Sequence, residues 1–175
     1  QVNTRVNLQG QESLPYSVGQ VVYPQGSGLY CLVCANDGYD FKWLTSIIES
    51  LGYSGIGGKR SSGYGHFTVD VENTDEDISA LLNNREGCAV SISTVVPLQA
   101  ELNIVTNGCY SLVARGGFVI SSTGSNNSKK RNRYFAIESG STFNQPLEGS
   151  LIDVGNGTSH PIYRMGKGLF IRVKI

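Results

Sequence analysis

The stretch Gly55-Ile56-Gly57-Gly58-Lys59-Arg60-Ser61-Ser62-Gly63-Tyr64-Gly65-His66-Phe67 limits what this chain can build more than any other. Five glycines fall within eleven residues, with a lysine, an arginine and two serines among them. Glycine has no Cβ and reaches positive φ without strain, so such a backbone can press its N–H groups against a ligand. Successive N–H groups in a turn of this kind form an anion-binding concavity. Lys59 and Arg60 put fixed positive charge beside it, and Ser61 and Ser62 add hydroxyls suited to phosphate oxygens. The plain alternative is a Gly-rich turn between packed elements with its cations in solvent.

Two familiar phosphate motifs are excluded by spacing. A P-loop needs a glycine five residues before its Gly-Lys pair and a Ser or Thr after it. Tyr53 and Arg60 occupy those positions. The dinucleotide fingerprint fails because Arg60 stands at its third glycine. Both motifs also leave a strand and enter a helix, whereas this loop is expected to leave a helix and enter a strand. ATP and NAD are poor ligands for it, and no cofactor is expected.

The run Leu51-Gly52-Tyr53-Ser54-Gly55-Ile56-Gly57-Gly58-Lys59-Arg60-Ser61-Ser62-Gly63-Tyr64-Gly65 resembles the glycine signature of the RAMP superfamily of CRISPR proteins. It is most similar there to the fourth subunit of the type III-A Csm effector complex. Gly116-Gly117-Phe118-Val119, Gly140-Ser141-Thr142-Phe143 and His160-Pro161-Ile162-Tyr163-Arg164-Met165-Gly166-Lys167-Gly168-Leu169 resemble that family's C-terminal half, in the same order. The resemblance implies an RRM-like fold and a non-catalytic subunit that grips the 5′ tag of the guide RNA. It implies two protein partners, a large cyclase-like subunit and a backbone RAMP subunit. On this reading Gly55, Gly57, Gly58, Lys59, Arg60, Ser61, Ser62 and Gly63 contact RNA. An ordinary RRM stacks bases on aromatic residues of its sheet. That aromatic pattern is not evident here, so RNA contact is placed at the loop and at basic segments.

The chain opens on Gln1 and its only methionine is Met165, which reads as a piece of something longer. Residues 1–28 are expected to be a connection from a missing N-terminal half, and residues 29–175 one domain. Glycine, at 22 of 175 residues, implies many turns. Fourteen cations balance fourteen anions, so attraction to nucleic acid must come from local clusters. The sequence shows no membrane-length apolar run, and no signal peptide is expected.

Leu29 to Ala35 is apolar almost throughout and predicts a strand buried on both faces. Asp40 supplies an N-cap for a helix bearing Phe41, Leu44, Ile47, Ile48 and Leu51 on one stripe, closed by Gly52. That stripe should be buried against a sheet containing Leu29 to Ala35 and Phe67 to Val71. His66 to Glu72 alternates as a half-buried strand does. Thr74-Asp75-Glu76-Asp77 has a capping-box form ahead of Ile78, Leu81 and Leu82. Its acids suit the helix dipole better than a metal. Val90 to Val96, Leu102 to Val105, Tyr110 to Ala114, Phe118 to Ile120, Tyr134 to Ile137, Leu151 to Val154 and Leu169 to Ile175 read as strands. The order predicts an α+β, ferredoxin-like domain with a β-rich elaboration and a Gly-rich loop.

Ser121 to Arg133 reads as a polar, mobile loop, yet Lys129, Lys130, Arg131 and Arg133 place four cations where phosphates could be met. Cys31 and Cys34 have CxxC spacing, but in a strand their side chains would point to opposite faces. With Cys88 and Cys109 they are expected to be buried reduced thiols, fitting a reducing cytoplasm, and no metal site is expected. His66 and His160 are the residues able to act as bases near neutrality. His66, beside the loop, supports the alternative of a metal-independent RAMP endoribonuclease.

Overall fold

The computed structural model describes residues 2–9, 12–35, 38–119 and 129–174. The architecture is α+β, with small antiparallel sheets beside short helices. The chain divides into two units, Gln1–Ala35 and Asn36–Ile175.

In the first unit, β1 (Val2–Gln9) and β2 (Glu12–Gly19) pair as an antiparallel hairpin in which Val2 faces Gly19 and Gln9 faces Glu12. The extended N-terminal sequence is therefore a folded-back ribbon. Leu29 to Ala35 does not form the expected strand. Leu29 is 75% and Tyr30 90% exposed, so this apolar run is not a central strand. A strand is held by a partner's backbone, and no ladder reaches these residues among those described. Cys31 and Cys34 are accordingly exposed, as is Cys109, while Cys88 is half-buried. All four thiols are free, as expected, but burial was the wrong expectation.

The second unit begins with α1 (Phe41–Ser54). Asp40 caps it, its carboxylate accepting the Lys42 N–H at 2.9 Å. The helix does not stop at Gly52. Gly52 is buried inside it, because a Cβ there would strike the carbonyl of Phe67, whose N–H donates to the Gly52 carbonyl at 3.3 Å. The terminating glycine is Gly55, at φ 76°, with its N–H on the Leu51 carbonyl at 2.7 Å. Phe41, Ile47 and Leu51 are exposed and Leu44 and Ile48 half-buried, which overturns the expected burial of this stripe against a sheet. Phe67 to Val71 joins no ladder among the described residues, and Val71 is 65% exposed. A stripe at helical spacing marks a face able to pack. It does not supply what packs on it.

α2 (Glu76–Asn83) is capped one residue later than the Thr74 pattern suggests: Asp75 accepts the Asp77 N–H at 2.9 Å. The helix lies against β11 (Phe170–Val173), which pairs with β3 (Cys88–Ser91). β3 is the middle of a three-stranded sheet completed by β8 (Thr142–Phe143). Val95 then bridges to Ile137 of β7 (Tyr134–Ile137), itself paired with β4 (Leu112–Arg115). Further hairpins join β9 (Gly149–Asp153) to β10 (Tyr163–Lys167), and β5 (Phe118–Val119) to β6 (Lys129–Lys130). Val95, Val105, Ile137, Phe143 and Leu147 form the core, with Ile104 and Phe170 packed on it.

Leu102–Val105 is not a strand but a helical turn, α3, entered through a 3-10 turn at Gln99–Glu101. Glu101 decides this. Its carboxylate accepts the Leu98 N–H at 2.7 Å and folds the chain back at that point. It also accepts Glu148 N–H at 2.6 Å and Gly149 N–H at 3.3 Å, tying this turn to the start of β9.

Candidate nucleic-acid interface

The glycine loop is a closed ring of backbone. Its base is fixed where the Ile56 N–H donates to the Gly65 carbonyl at 2.9 Å. Gly55 and Gly65, at φ 76° and 77°, cross at that base. A Cβ on Gly55 would lie 2.8 Å from the Tyr64 carbonyl oxygen, and one on Gly65 would overlap the Ile56 backbone. These two glycines are therefore structural.

Within the ring, Lys59 takes a left-handed conformation (φ 58°, ψ 28°) and is followed at once by the 3-10 turn Arg60–Ser62. Gly63 (φ 82°, ψ 11°) reverses the hand again. Alternating hands turn successive N–H groups toward a shared concavity. Some of these donors are already used: Ser62 and Tyr64 donate to the Lys59 carbonyl at 2.9 and 3.4 Å, and Gly63 to the Arg60 carbonyl at 3.0 Å. The N–H groups of Gly57, Gly58, Arg60 and Ser61 have no acceptor among the described residues. Gly57 has φ 82°, whereas Gly58 is not in the left-handed region, and a Cβ on either would meet open space. Lys59, Arg60, Ser61, Ser62 and Gly63 are all exposed. The ring thus offers unused backbone donors beside two exposed cationic residues, Lys59 and Arg60.

The second cationic stretch differs from expectation. Residues 121–128 lie outside the described residues. Lys129 and Lys130 are not loop but strand, Val119 facing Lys129 and Phe118 facing Lys130. Lys129 donates through Nζ to the Gly157 carbonyl at 2.6 Å. Arg131, half-buried, donates through Nη2 to the Gly116 carbonyl at 2.7 Å, and its N–H to the Gly117 carbonyl at 2.9 Å. The side chains of Lys130 and Arg133 are exposed, with no hydrogen bond or ion pair among the described residues. The four cations are therefore two pairs, one bound to carbonyls and one open.

The histidines differ too. His66 is exposed just beyond the ring. His160 lies in the 154–162 loop, with Ser159 Oγ 3.3 Å from its Nδ1. That loop is held by Asp153, whose Oδ1 accepts the N–H groups of Gly155 and Ile162, each at 2.8 Å. These two bonds hold the Asp153 carboxyl below its ordinary value. Ser159 and His160 are neighbours in sequence, and among the described residues no third group orients the His160 ring.

Residues 84–173, just over half of the chain, match the sequence profile of the CRISPR Csm4 C-terminal domain. The chain belongs to the CRISPR Csm4 family. It is 32% identical over 163 residues to the CRISPR system Cms protein Csm4 of Streptococcus thermophilus, covering 91% of this chain and 52% of that protein. To the Csm4 of Mycobacterium tuberculosis strain CDC 1551 it is 31% identical over 160 residues, covering 90% and 51%. The chain spans about half the length of the curated relatives it matches. The Csm4 profile takes in everything from β3 to β11, including the basic strand. The glycine ring precedes it.

Sequence reasoning did not find the floor of the basic stretch. Gly116 and Gly117 entered it as part of a family pattern, yet their carbonyls receive Arg131. Gly117, at φ 140°, leaves room for that guanidinium, which a Cβ would meet at 2.6 Å. A Gly-Gly pair just before an aromatic–β-branched pair, with arginines further on, was the available signal. No helix among the described residues is long and apolar enough to cross a membrane.

Proposed function

We propose that this chain is the guide-RNA-gripping part of a Csm4 subunit in a type III-A Csm effector complex, acting in antiviral defence in the cytoplasm. The ring from Gly55 to Gly65 holds the backbone of the RNA 5′ tag. The observation that carries this reading is the set of unused N–H groups at Gly57, Gly58, Arg60 and Ser61, on a ring whose cations Lys59 and Arg60 are exposed. Phosphate oxygens are acceptors of the right charge and spacing for such a set. In this role Gly55 and Gly65 close the ring, Gly57 and Gly58 let the RNA backbone approach, and Ser61, Ser62 and Gly63 complete the rim. Of the four cations Lys129, Lys130, Arg131 and Arg133, the open pair Lys130 and Arg133 serves a second stretch of phosphates, while Lys129 and Arg131, bound to carbonyls, hold that stretch in place.

The domain reading follows the same proposal. Residues 29–175 form an RRM-like, ferredoxin-like RAMP domain elaborated by strands, and residues 1–28 connect it to a preceding half. Its partners are the guide RNA, the large cyclase-like subunit and a backbone RAMP subunit. It uses no cofactor or metal and performs no catalysis.

The competing reading is a metal-independent endoribonuclease using His66, which is exposed beside the ring. Full-length protein incubated with 5′-labelled repeat RNA in EDTA separates the two. Retention of intact RNA in a gel shift is the expected result. Cleavage that disappears in His66→Ala would overturn the binding-only proposal.

A further inference from the structure

Directly opposite residues of an antiparallel pair project from the same face. Phe118 and Lys130 are such a pair, and both are exposed, Phe118 by 56%. Val119 and Lys129 share the other face, where Lys129 is fastened to the Gly157 carbonyl. Past the end of the strand, Arg131 is fastened to Gly116. Arg133 runs along the same glycine, its Nε and Cγ 3.9 and 4.0 Å from where a Gly116 Cβ would stand. An exposed aromatic ring thus sits opposite a cation whose side chain has no partner among the described residues, on a strand whose continuation carries another such cation.

We propose that Phe118, Lys130 and Arg133 form a second contact with single-stranded RNA, separate from the glycine ring. An unstacked base lies on the Phe118 ring, and flanking phosphates meet Lys130 and Arg133. Lys129 and Arg131 do not contact RNA; they are positioning residues that pin β6 and its continuation to the 154–162 loop and to Gly116. This rests on the reading of the chain as RNA-binding and assigns Phe118, which that reading left out. RNA is favoured over a protein partner by the chemistry of the face. It presents one ring beside cations, the alternation of π-surface and positive charge that every nucleotide matches. A protein-docking core instead gathers apolar neighbours and sheds lysine.

The test uses full-length protein and a fluorescein-labelled oligouridylate, alongside the same backbone with abasic residues. Phe118→Ala should weaken binding of the oligouridylate about 5- to 150-fold. Its affinity for the abasic strand should not change, and Phe118→Trp should bind like the parent. Lys130→Ala/Arg133→Ala should reduce the log–log salt slope by at most about 1.4 without changing the melting temperature. Lys129→Ala/Arg131→Ala should lower the melting temperature. With 4-thiouridine in the oligonucleotide, photocrosslinking the unmutated protein should label the peptide carrying Phe118.

Parental affinity in Phe118→Ala, with Lys59→Ala/Arg60→Ala still weakened, would overturn this contact and leave the ring standing. A failure of the unmutated protein to bind any RNA would remove the underlying reading, and this contact with it. An RNA-free loss of neighbouring-subunit capture by Phe118→Ala, at unchanged RNA affinity, would overturn it in favour of a protein surface.

Discussion

Closure of the glycine ring makes different glycines matter for different reasons, and Gly65→Ala against Gly58→Ala measures the difference. Gly65 has φ 77°. An alanine in that region costs about 1–2 kcal/mol. Its Cβ would also overlap the Ile56 backbone, displacing the Ile56 N–H from the Gly65 carbonyl now 2.9 Å away. Loss of that bond adds about 0.5–1.5 kcal/mol. The sum is about 1.5–3.5 kcal/mol, and at about 2–4 °C per kcal/mol for a chain of this size the melting temperature should fall by roughly 3–14 °C. Gly58 has neither constraint: it is outside the left-handed region and a Cβ there meets open space. Alanine there removes unfolded-state freedom worth about 0.4–1 kcal/mol, so stability should hold or rise slightly. Calorimetry reads the melting temperatures, and hydrogen exchange at the Ile56 amide shows whether the base has opened. Equal stability in the two variants, with Ile56 equally protected, would refute ring closure.

Two other contacts lend themselves to direct measurement. Glu101→Ala strips the acceptor from Leu98, Glu148 and Gly149, the last of them buried, and should cost about 1–3 kcal/mol in denaturant unfolding; an unchanged midpoint would mean that water replaces the carboxylate without loss. Asp153 is held below its ordinary value of 3.8 by the N–H groups of Gly155 and Ile162, so its contribution is complete above that value and drains away as pH falls through the lower, folded one. Asp153→Asn should therefore show a shallower fall of melting temperature with acid below about pH 4. Parallel acid limbs in the two proteins would show that this charge is not what the loop holds.

Where the sequence was legible, the cause was local. Asp40 ahead of a helical stripe announced α1, and Thr74-Asp75-Glu76-Asp77 announced α2 with its cap one residue early, because caps are written into adjacent residues. β-branched and apolar runs announced β7 and β11, but of the strand expected from Val90 to Val96 only Val90 and Ser91 lie in β3; beyond them the chain bends, and Val95 makes a single bridge. What failed depended on partners distant in sequence. Leu29 to Ala35 has the composition of a buried strand, but composition names no partner. Leu102–Val105 is too short to show a period, and its helical turn is set by Glu101 reaching Leu98 and β9. Gly52 and Gly55 look alike as helix stops. Only the approach of Phe67 to the first and the positive φ of the second tell them apart. The ring was recognisable from its glycines, but not which of its N–H groups remain unused. The basic stretch read as four equivalent cations, and only the Gly157 and Gly116 carbonyls divide them.

The central claim is that the ring grips the RNA backbone, and the salt dependence of guide-RNA binding by Gly58→Val and by Lys59→Ala/Arg60→Ala tests it most directly. The valine enters open space outside the left-handed region, so both proteins should melt like the parent. With a 5′-tagged guide, the charge-removing variant should lose affinity mainly at low salt and flatten the log–log slope by up to about 0.7 for each phosphate it no longer neutralises. Gly58→Val should lose affinity at every salt concentration, since its Cβ stands between the N–H groups and the RNA. A guide without the tag should bind all three proteins alike. Parental affinity and slope for the tagged guide in both folded variants would contradict the account and reduce the ring to a connection after α1.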